Sequence, residues 1–286
     1  MQIRNPHSEI RNSKLNCRKI TAATRLCAII GNPIGHSLSP LVHNAAFQHL
    51  GLDYVFVAFQ VERLREAVTG IAALGLKGVS VTIPHKVEVM AYLDEIEPVA
   101  RRIGAVNTIA NRDGKLVGYN TDWSGAMRAL QDKIALQGKT AVVLGAGGAA
   151  RAIAFGLKEK GADPVILNRT VSKAEALASG LKCRFGGIEL IEKLSFDLVI
   201  NATSVGMSPD ADRTPLDKAV LKDALVFDTV YNPLKTRLIR EAEENGCATV
   251  TGLEMFVNQA ALQFELWTGQ TAPLDIMKKV TAQELA

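Results

Sequence analysis

The chain has 286 residues, 48% hydrophobic and 22% charged, with 33 basic and 29 acidic side chains and a formal charge of +4. That is globular composition at about twice the size of a ~100–150-residue domain, with no run approaching the ~18 apolar residues that a membrane-spanning helix needs. Residues 1–25 hold six of the basic groups against Glu9, so the remaining 27 basic and 28 acidic groups give −1 and offer no basic stripe to a duplex or an anionic membrane.

Residues 1–24 read as a flexible basic tail, because they are polar and lack the apolar stretch of a secretory signal. Cys17, Cys27, Cys183 and Cys247 are scattered, with no CxxC and no His at ligand spacing. Neither a disulfide framework nor a metal site is expected, and a reducing cytoplasm is the simplest setting.

From Leu26 short β-type runs alternate with helix-type stretches: Leu26–Ile30 then Leu41–Leu50, Tyr54–Phe59 then Leu64–Leu74, Val79–Val81 then Val87–Leu93. This order predicts a mostly parallel sheet covered by helices. Around Val106–Ala110 and Leu116–Tyr119 the period becomes two, with the turn signal Asp113-Gly114 between them, so an antiparallel pair closes the first unit. A second βαβ series follows: Thr140–Leu144, a helix from Ala149 to Lys160, Pro164–Leu167, Leu198–Asn201, Leu225–Asp228 and Ala248–Val250. The stretch Leu253–Trp267 carries an amphipathic helical stripe and ends at Gly269. The fold class is therefore α/β, two α/β domains in series with the hinge near Thr121 and a ligand cleft between the carboxyl ends of their strands.

Gly145, Ala146, Gly147, Gly148 and Ala149 follow an apolar strand and open a helix, the context in which a glycine-rich turn brings backbone N–H groups to a pyrophosphate. About 20 residues on, where an acid would hold a free ribose 2′-hydroxyl, the chain reads Asn168, Arg169, Thr170 and then Lys173. Two cations and a hydroxyl suit a 2′-phosphate, which favours NADP(H) over NAD. Lys173 also fits a solvated helix face.

In the first series Ser37 and Ser39 lie where the first strand delivers the chain into the cleft, an arrangement suited to a small carboxylate or polyol. Ser39, before Pro40, has a competing explanation as a helix N-cap. Thr82, Pro84, His85 and Lys86 follow the third strand, Asn107 and Thr108 follow Val106, and Asn120, Thr121 and Asp122 end the hairpin, where Asp122 is also a natural cap.

With these residues in place the sequence resembles the shikimate dehydrogenase family, from about Leu26 to near the C-terminus. The segments that carry the resemblance are Gly31–Asn44, Ser80–Lys86, Gly104–Thr108, Asn120–Asp122, Asn168–Thr170, Asn201–Thr203 and Asp228–Pro233. The resemblance implies reversible reduction of 3-dehydroshikimate to shikimate by NADPH, in a cytoplasmic monomer or homodimer with no nucleic-acid or membrane partner. It implies a substrate-binding domain of residues 25–121 plus about 256–286, a C-terminal helix returning to it, and a Rossmann NADP domain of residues 122–255. Ser37, Ser39 and Tyr231 would bind the substrate carboxylate, and Thr82, Lys86, Asn107, Asp122 and Gln259 the ring hydroxyls. On the cofactor side it adds Thr203, Thr229, Gly252 and Met255; Thr229 stands where the family commonly has a bulkier apolar residue, and Met255 also fits a helix core.

Lys86 and Asp122 are the expected catalytic pair. Hydride arriving at a carbonyl carbon leaves charge on oxygen, which a nearby ammonium stabilises and protonates. An Asp partner keeps that lysine charged, so it serves chiefly to polarise and donate. Two rivals remain: a quinate/shikimate dehydrogenase of the same fold, which admits an extra hydroxyl and often uses NAD, and an NADP-binding regulator without turnover. The paired serines and Arg169 favour the first reading over quinate, and the presence of both Lys86 and Asp122 disfavours the regulator.

Overall fold

A computed structural model describes residues 20–285. The greater part of the expected tail, residues 1–19, lies outside the described residues, while Thr24 is tied to the body through its hydroxyl, which donates to Asp53 Oδ1 at 2.8 Å.

In chain order the first half contains β1 (Arg25–Gly31), α1 (Ser39–His49), β2 (Tyr54–Gln60), α2 (Leu64–Ala73), β3 (Gly78–Val81), β4 (Glu95–Ile96), α3 (Pro98–Ile103), β5 (Thr108–Arg112) and β6 (Lys115–Tyr119). These strands form a six-stranded sheet in the order β2-β1-β3-β5-β6-β4. β1 pairs in parallel with β2 and β3, while β5 runs antiparallel to β3 and β6, the expected hairpin turning at Asp113 and Gly114. The stretch 87–93 folds as a short 3₁₀ helix, Glu88–Tyr92, with Val89 alone buried in it. One buried residue in five cannot anchor an α-helical stripe.

α4 (Asp122–Leu130) leads into β7 (Thr140–Leu144), α5 (Gly148–Glu159), β8 (Asp163–Leu167), α6 (Val171–Leu181), β9 (Arg184–Gly186), β10 (Leu198–Asn201), β11 (Leu225–Asp228), α7 (Arg237–Glu244) and β12 (Thr249–Val250). Their sheet is wholly parallel, in the order β12-β11-β10-β7-β8-β9. Its central strands are continuous apolar runs because helices cover both faces, and the order reverses between β7 and β10, where dinucleotide sheets of this topology open their binding crevice.

The chain ends with α8 (Gly252–Thr268) and α9 (Leu274–Glu284). α8 closes on Gly269 at φ +70°, as the sequence predicts. Met255, in its first turn, belongs to the core of the second sheet with Val143, Ile153 and Phe227. Phe256, Ala260, Phe264 and Trp267 instead pack with Cys27, Phe47 and Phe56 in the core of the first. α8 thus runs from one core into the other, and α9 adds Met277 to the latter.

Candidate active site

The loop after β3 delivers Lys86, whose carbonyl accepts from Val106 N–H at 2.7 Å. Its Nζ donates to Asp122 Oδ2 at 2.6 Å, with the two side chains only 15% and 5% exposed. Asn107 Nδ2 donates to the other carboxylate oxygen at 2.9 Å, and to Thr121 Oγ1 at 2.9 Å, and lies 3.4 Å from Gln259 Oε1. Each oxygen of this buried carboxylate therefore has a donor, which offsets the cost of removing its charge from water. The structure assigns Asp122 no capping role: Thr121 is the N-cap of α4 without a side-chain bond, and the Asp122 carboxylate turns to Lys86.

Neither serine caps α1. Leu38, not Ser39, is the N-cap of α1, and no side chain caps that helix. Ser39 is its first residue and is buried, and its N–H is taken by Ser37 Oγ at 3.3 Å, so the local turn uses the serine expected to be free. Tyr231 joins this loop from the second half of the chain. Its ring stacks on Phe256 at 4.4 Å, and burial pushes its hydroxyl up to about 12 despite a hydrogen bond from the Leu38 backbone. Thr82 stands at the end of β3 against Gly31, where a Cβ would lie 2.5 Å from Thr82 Cγ2.

On the other wall the glycine-rich turn links β7 to α5. Gly145 has φ +109°, which only glycine adopts cheaply, and a Cβ there would lie 3.1 Å from both the Ala202 carbonyl and Thr203 Cγ2. Gly147 has no neighbouring heavy atom where its Cβ would stand, so the turn is open on that side. The first N–H groups of α5 have no partner within the helix. Together with Ala146 and Ala149 they form a cradle that fits a pyrophosphate. A Cβ at Gly148 would lie 2.8 Å from Lys86 Cβ and 2.9 Å from its Cδ, so the mouth of the turn and the lysine stem are in contact.

Asn168 Nδ2 donates to the Thr170 carbonyl at 2.9 Å, shaping the loop that presents Arg169. Arg169 and Lys173 are exposed, and neither enters an ion pair between described residues. Two free cations beside that cradle fit a nucleotide carrying an extra phosphate. Thr203 Oγ1 donates to Asn201 Oδ1 at 2.6 Å, while Gly252 abuts the Thr229 carbonyl. Met255 is packed into the core at this edge, the alternative its helical spacing allowed.

Behind Asn107 the structure adds Gln263, which the sequence did not single out. Gln263, Thr108 and Ser80 form a buried hydrogen-bonded set reaching the Asn107 side chain. The available signal was the spacing of Gln263 four residues after Gln259, which puts both on one face of α8. Among the described residues no group of three His, Cys, Asp or Glu is placed to hold a metal ion, and no helix is long and apolar enough to cross a membrane.

Comparison with known proteins agrees with this geometry. The family profile described as the shikimate dehydrogenase substrate binding domain matches residues 29–109, the shikimate / quinate 5-dehydrogenase profile residues 127–210, and the shikimate 5'-dehydrogenase C-terminal domain residues 252–280. A shikimate dehydrogenase (NADP(+)) of Bacillus cereus is 47% identical over 273 residues, 91% of this chain and 99% of its own. The enzyme of the same name from Methanothermobacter thermautotrophicus is 48% identical over 272 residues, 91% of this chain and 96% of its own. The crystal structure of shikimate 5-dehydrogenase from Thermus thermophilus with NADP(H) and shikimate superposes with a TM-score of 0.83 at 39% identity, covering 91% of this chain and 99% of that one.

Proposed function

The chain belongs to the shikimate dehydrogenase family, and from that premise we propose that it reduces 3-dehydroshikimate reversibly to shikimate with NADPH, in the pathway to chorismate and the aromatic amino acids. The observation that carries the reading is the contact between the two halves of the site: a buried ammonium–carboxylate pair whose lysine stem lies on the first glycine of the α5 cradle.

NADPH, when bound, supplies hydride to the substrate carbonyl carbon. Every other task falls to the chain. The α5 turn with Gly145, Ala146, Gly147, Gly148 and Ala149 holds the pyrophosphate, and Asn168, Arg169, Thr170 and Lys173 hold the 2′-phosphate. Thr203, Thr229 and Gly252 line the nicotinamide end, backed by Met255 in the core behind them. Ser37, Ser39 and Tyr231 take the substrate carboxylate, while Thr82, Asn107 and Gln259 orient the ring hydroxyls.

Lys86 Nζ stabilises the developing alkoxide and gives it a proton; in oxidation it receives that proton back. Asp122, held through Oδ2 by Lys86 and through Oδ1 by Asn107, fixes the ammonium where the oxygen must arrive. Residues 25–121 with about 256–286 make up the substrate domain and 122–255 the NADP domain. The reading extends to a cytoplasmic monomer or homodimer with no nucleic-acid or membrane partner.

The test follows absorbance at 340 nm with the purified chain, crossing shikimate and quinate with NADP and NAD. Turnover dominated by shikimate with NADP is expected. Comparable rates with quinate or NAD would move the assignment to the bifunctional enzyme, and NADP binding without turnover would make the chain a regulator.

A further inference from the structure

We propose that Gln263 is a positioning residue that fixes the amide of Asn107, and through it the carboxylate of Asp122. This rests on the functional reading above.

The argument is one of hydrogen-bond polarity, which the neighbours leave no freedom to invert. Gln263 Nε2 lies 3.2 Å from the Asn107 backbone carbonyl, which only accepts, so the Gln263 nitrogen must face it. The same nitrogen donates to Thr108 Oγ1 at 2.9 Å, and Oε1 is left to accept from Ser80 Oγ at 2.6 Å. Having accepted from Gln263, the Thr108 hydroxyl sends its proton to Asn107 Oδ1 at 2.7 Å. The Thr121 N–H, which only donates, reaches that same oxygen at 2.7 Å. Asn107 Nδ2 then has one orientation, towards Asp122 Oδ1 at 2.9 Å.

The chain of donors therefore runs in one direction, from Ser80 through Gln263, Thr108 and Asn107 to the catalytic carboxylate. All four of these side chains are buried, so a misdirected member finds no water to satisfy it. One turn further along α8 a second anchor exists, Trp267 Nε1 donating to the Ile109 carbonyl at 3.0 Å. It ties the same helix to the same strand without touching Asn107, and so supplies a control.

The experiment compares Gln263→Leu and Gln263→Glu with Trp267→Phe and Asn107→Ala in the full chain. Gln263→Glu keeps the acceptor for Ser80 but replaces the donor to Thr108 by an oxygen, which draws the threonine proton away from Asn107. Both Gln263 variants are expected to lower kcat/KM for shikimate about tenfold while leaving KM for NADP within twofold. Trp267→Phe should lower thermal stability with kcat/KM for shikimate unchanged. Adding Gln263→Leu to Asn107→Ala should cost no further activity, because the group it positions is already gone.

The ligand-free readout is the Asn107 side-chain amide in ¹⁵N NMR, expected as a slowly exchanging pair in the parent chain and as a rapidly exchanging one in both Gln263 variants. The inference is overturned if Trp267→Phe lowers kcat/KM for shikimate as much as Gln263→Leu does, if the double variant is additive, or if the Asn107 amide is unmoved. Parent protein inert towards shikimate would instead overturn the functional reading, and the amide signal would then decide the inference alone.

Discussion

Replacing Lys86 by Met retains most of the stem that lies on Gly148 and removes the ammonium, so the chemistry and the packing can be separated. General acid catalysis is worth about 10²–10⁴-fold, or about 2.7–5.4 kcal/mol of barrier at ~1.36 kcal/mol per decade. The upper half of that range is expected here, because the lysine side chain is 15% exposed and its partner 5%, and little water is at hand to replace the proton donor. KM for shikimate should rise less than fivefold, since Ser37, Ser39, Tyr231 and Gln259 remain.

The substitution also strands a buried carboxylate. Breaking a buried pair costs about 3–5 kcal/mol, and the bond that Asn107 Nδ2 still gives Asp122 Oδ1 places this case at the lower end. Initial rates at 340 nm in both directions, beside a thermal melt, measure the two effects separately. Added alkylammonium should restore part of the rate to Lys86→Ala, whose missing stem leaves room for it. A folded Lys86→Met protein with kcat within tenfold of the parent would refute the assignment of Lys86 as proton donor.

Two further expectations concern the cofactor and the response to acid. Arg169→Ala removes an exposed cation that no described carboxylate claims; loss of a charge-assisted bond of about 1.5–3 kcal/mol should weaken NADP binding roughly 10–100-fold and leave NAD unchanged, measured by calorimetry. His43, stacked on Phe56 with ring centroids 4.4 Å apart, is held neutral: burial lowers its imidazole from 6.5 to about 3, against the opposing influence of Gln263. The unfolded chain therefore takes up a proton below pH 6.5 that the folded chain refuses, so this contribution is fully present above pH 6.5 and is lost as pH falls towards 3, at up to about 1.4 kcal/mol per unit. Asp228 acts in the opposite sense, because burial raises its carboxyl from 3.8 to about 6 against bonds from Thr236, Val230 and Asn201. Between pH 6 and 4 the folded chain binds that proton more readily, and this group's contribution grows as pH falls. Urea unfolding across pH 4–7 should show a shallower acid loss for His43→Leu and a steeper one for Asp228→Asn.

Legibility differed between the two sheets for a physical reason. Strands β7, β8, β10 and β11 are buried on both faces and so read as unbroken apolar runs, and the glycine turn between β7 and α5 is constrained by backbone geometry that few other residues satisfy. β4 is only two residues long, Glu95–Ile96, and exists because it pairs with β6, a partner that no local pattern names. α7 went unread although Leu238, Ile239 and Ala242 form a buried stripe among its charges, because eight residues are shorter than the window in which a helical period stands out. Capping was read wrongly at Ser39 because propensity cannot say which of two nearby hydroxyls the turn will use; Ser37 reached the Ser39 N–H first.

The site residues posed a different problem, visible in α8. Its apolar stripe was clear from the sequence, but a stripe says only that a helix is covered, not by what. Met255 meets the core of the NADP-side sheet, and Phe256, Phe264 and Trp267 meet that of the other, so one helix is buried by two cores that are far apart in sequence. That placement sends the polar positions Gln259 and Gln263 into the hydrogen-bonded ground around Asn107. A motif could therefore mark Lys86, Asn107 and Asp122 as residues of interest, Lys86 in the loop after β3 and the other two at either end of the β5–β6 hairpin. Their joining into one charged pair with an oriented amide depends on β3, β5 and β6 pairing side by side, with α8 returning to set Gln259 and Gln263 around the amide, and that packing is written in no single segment.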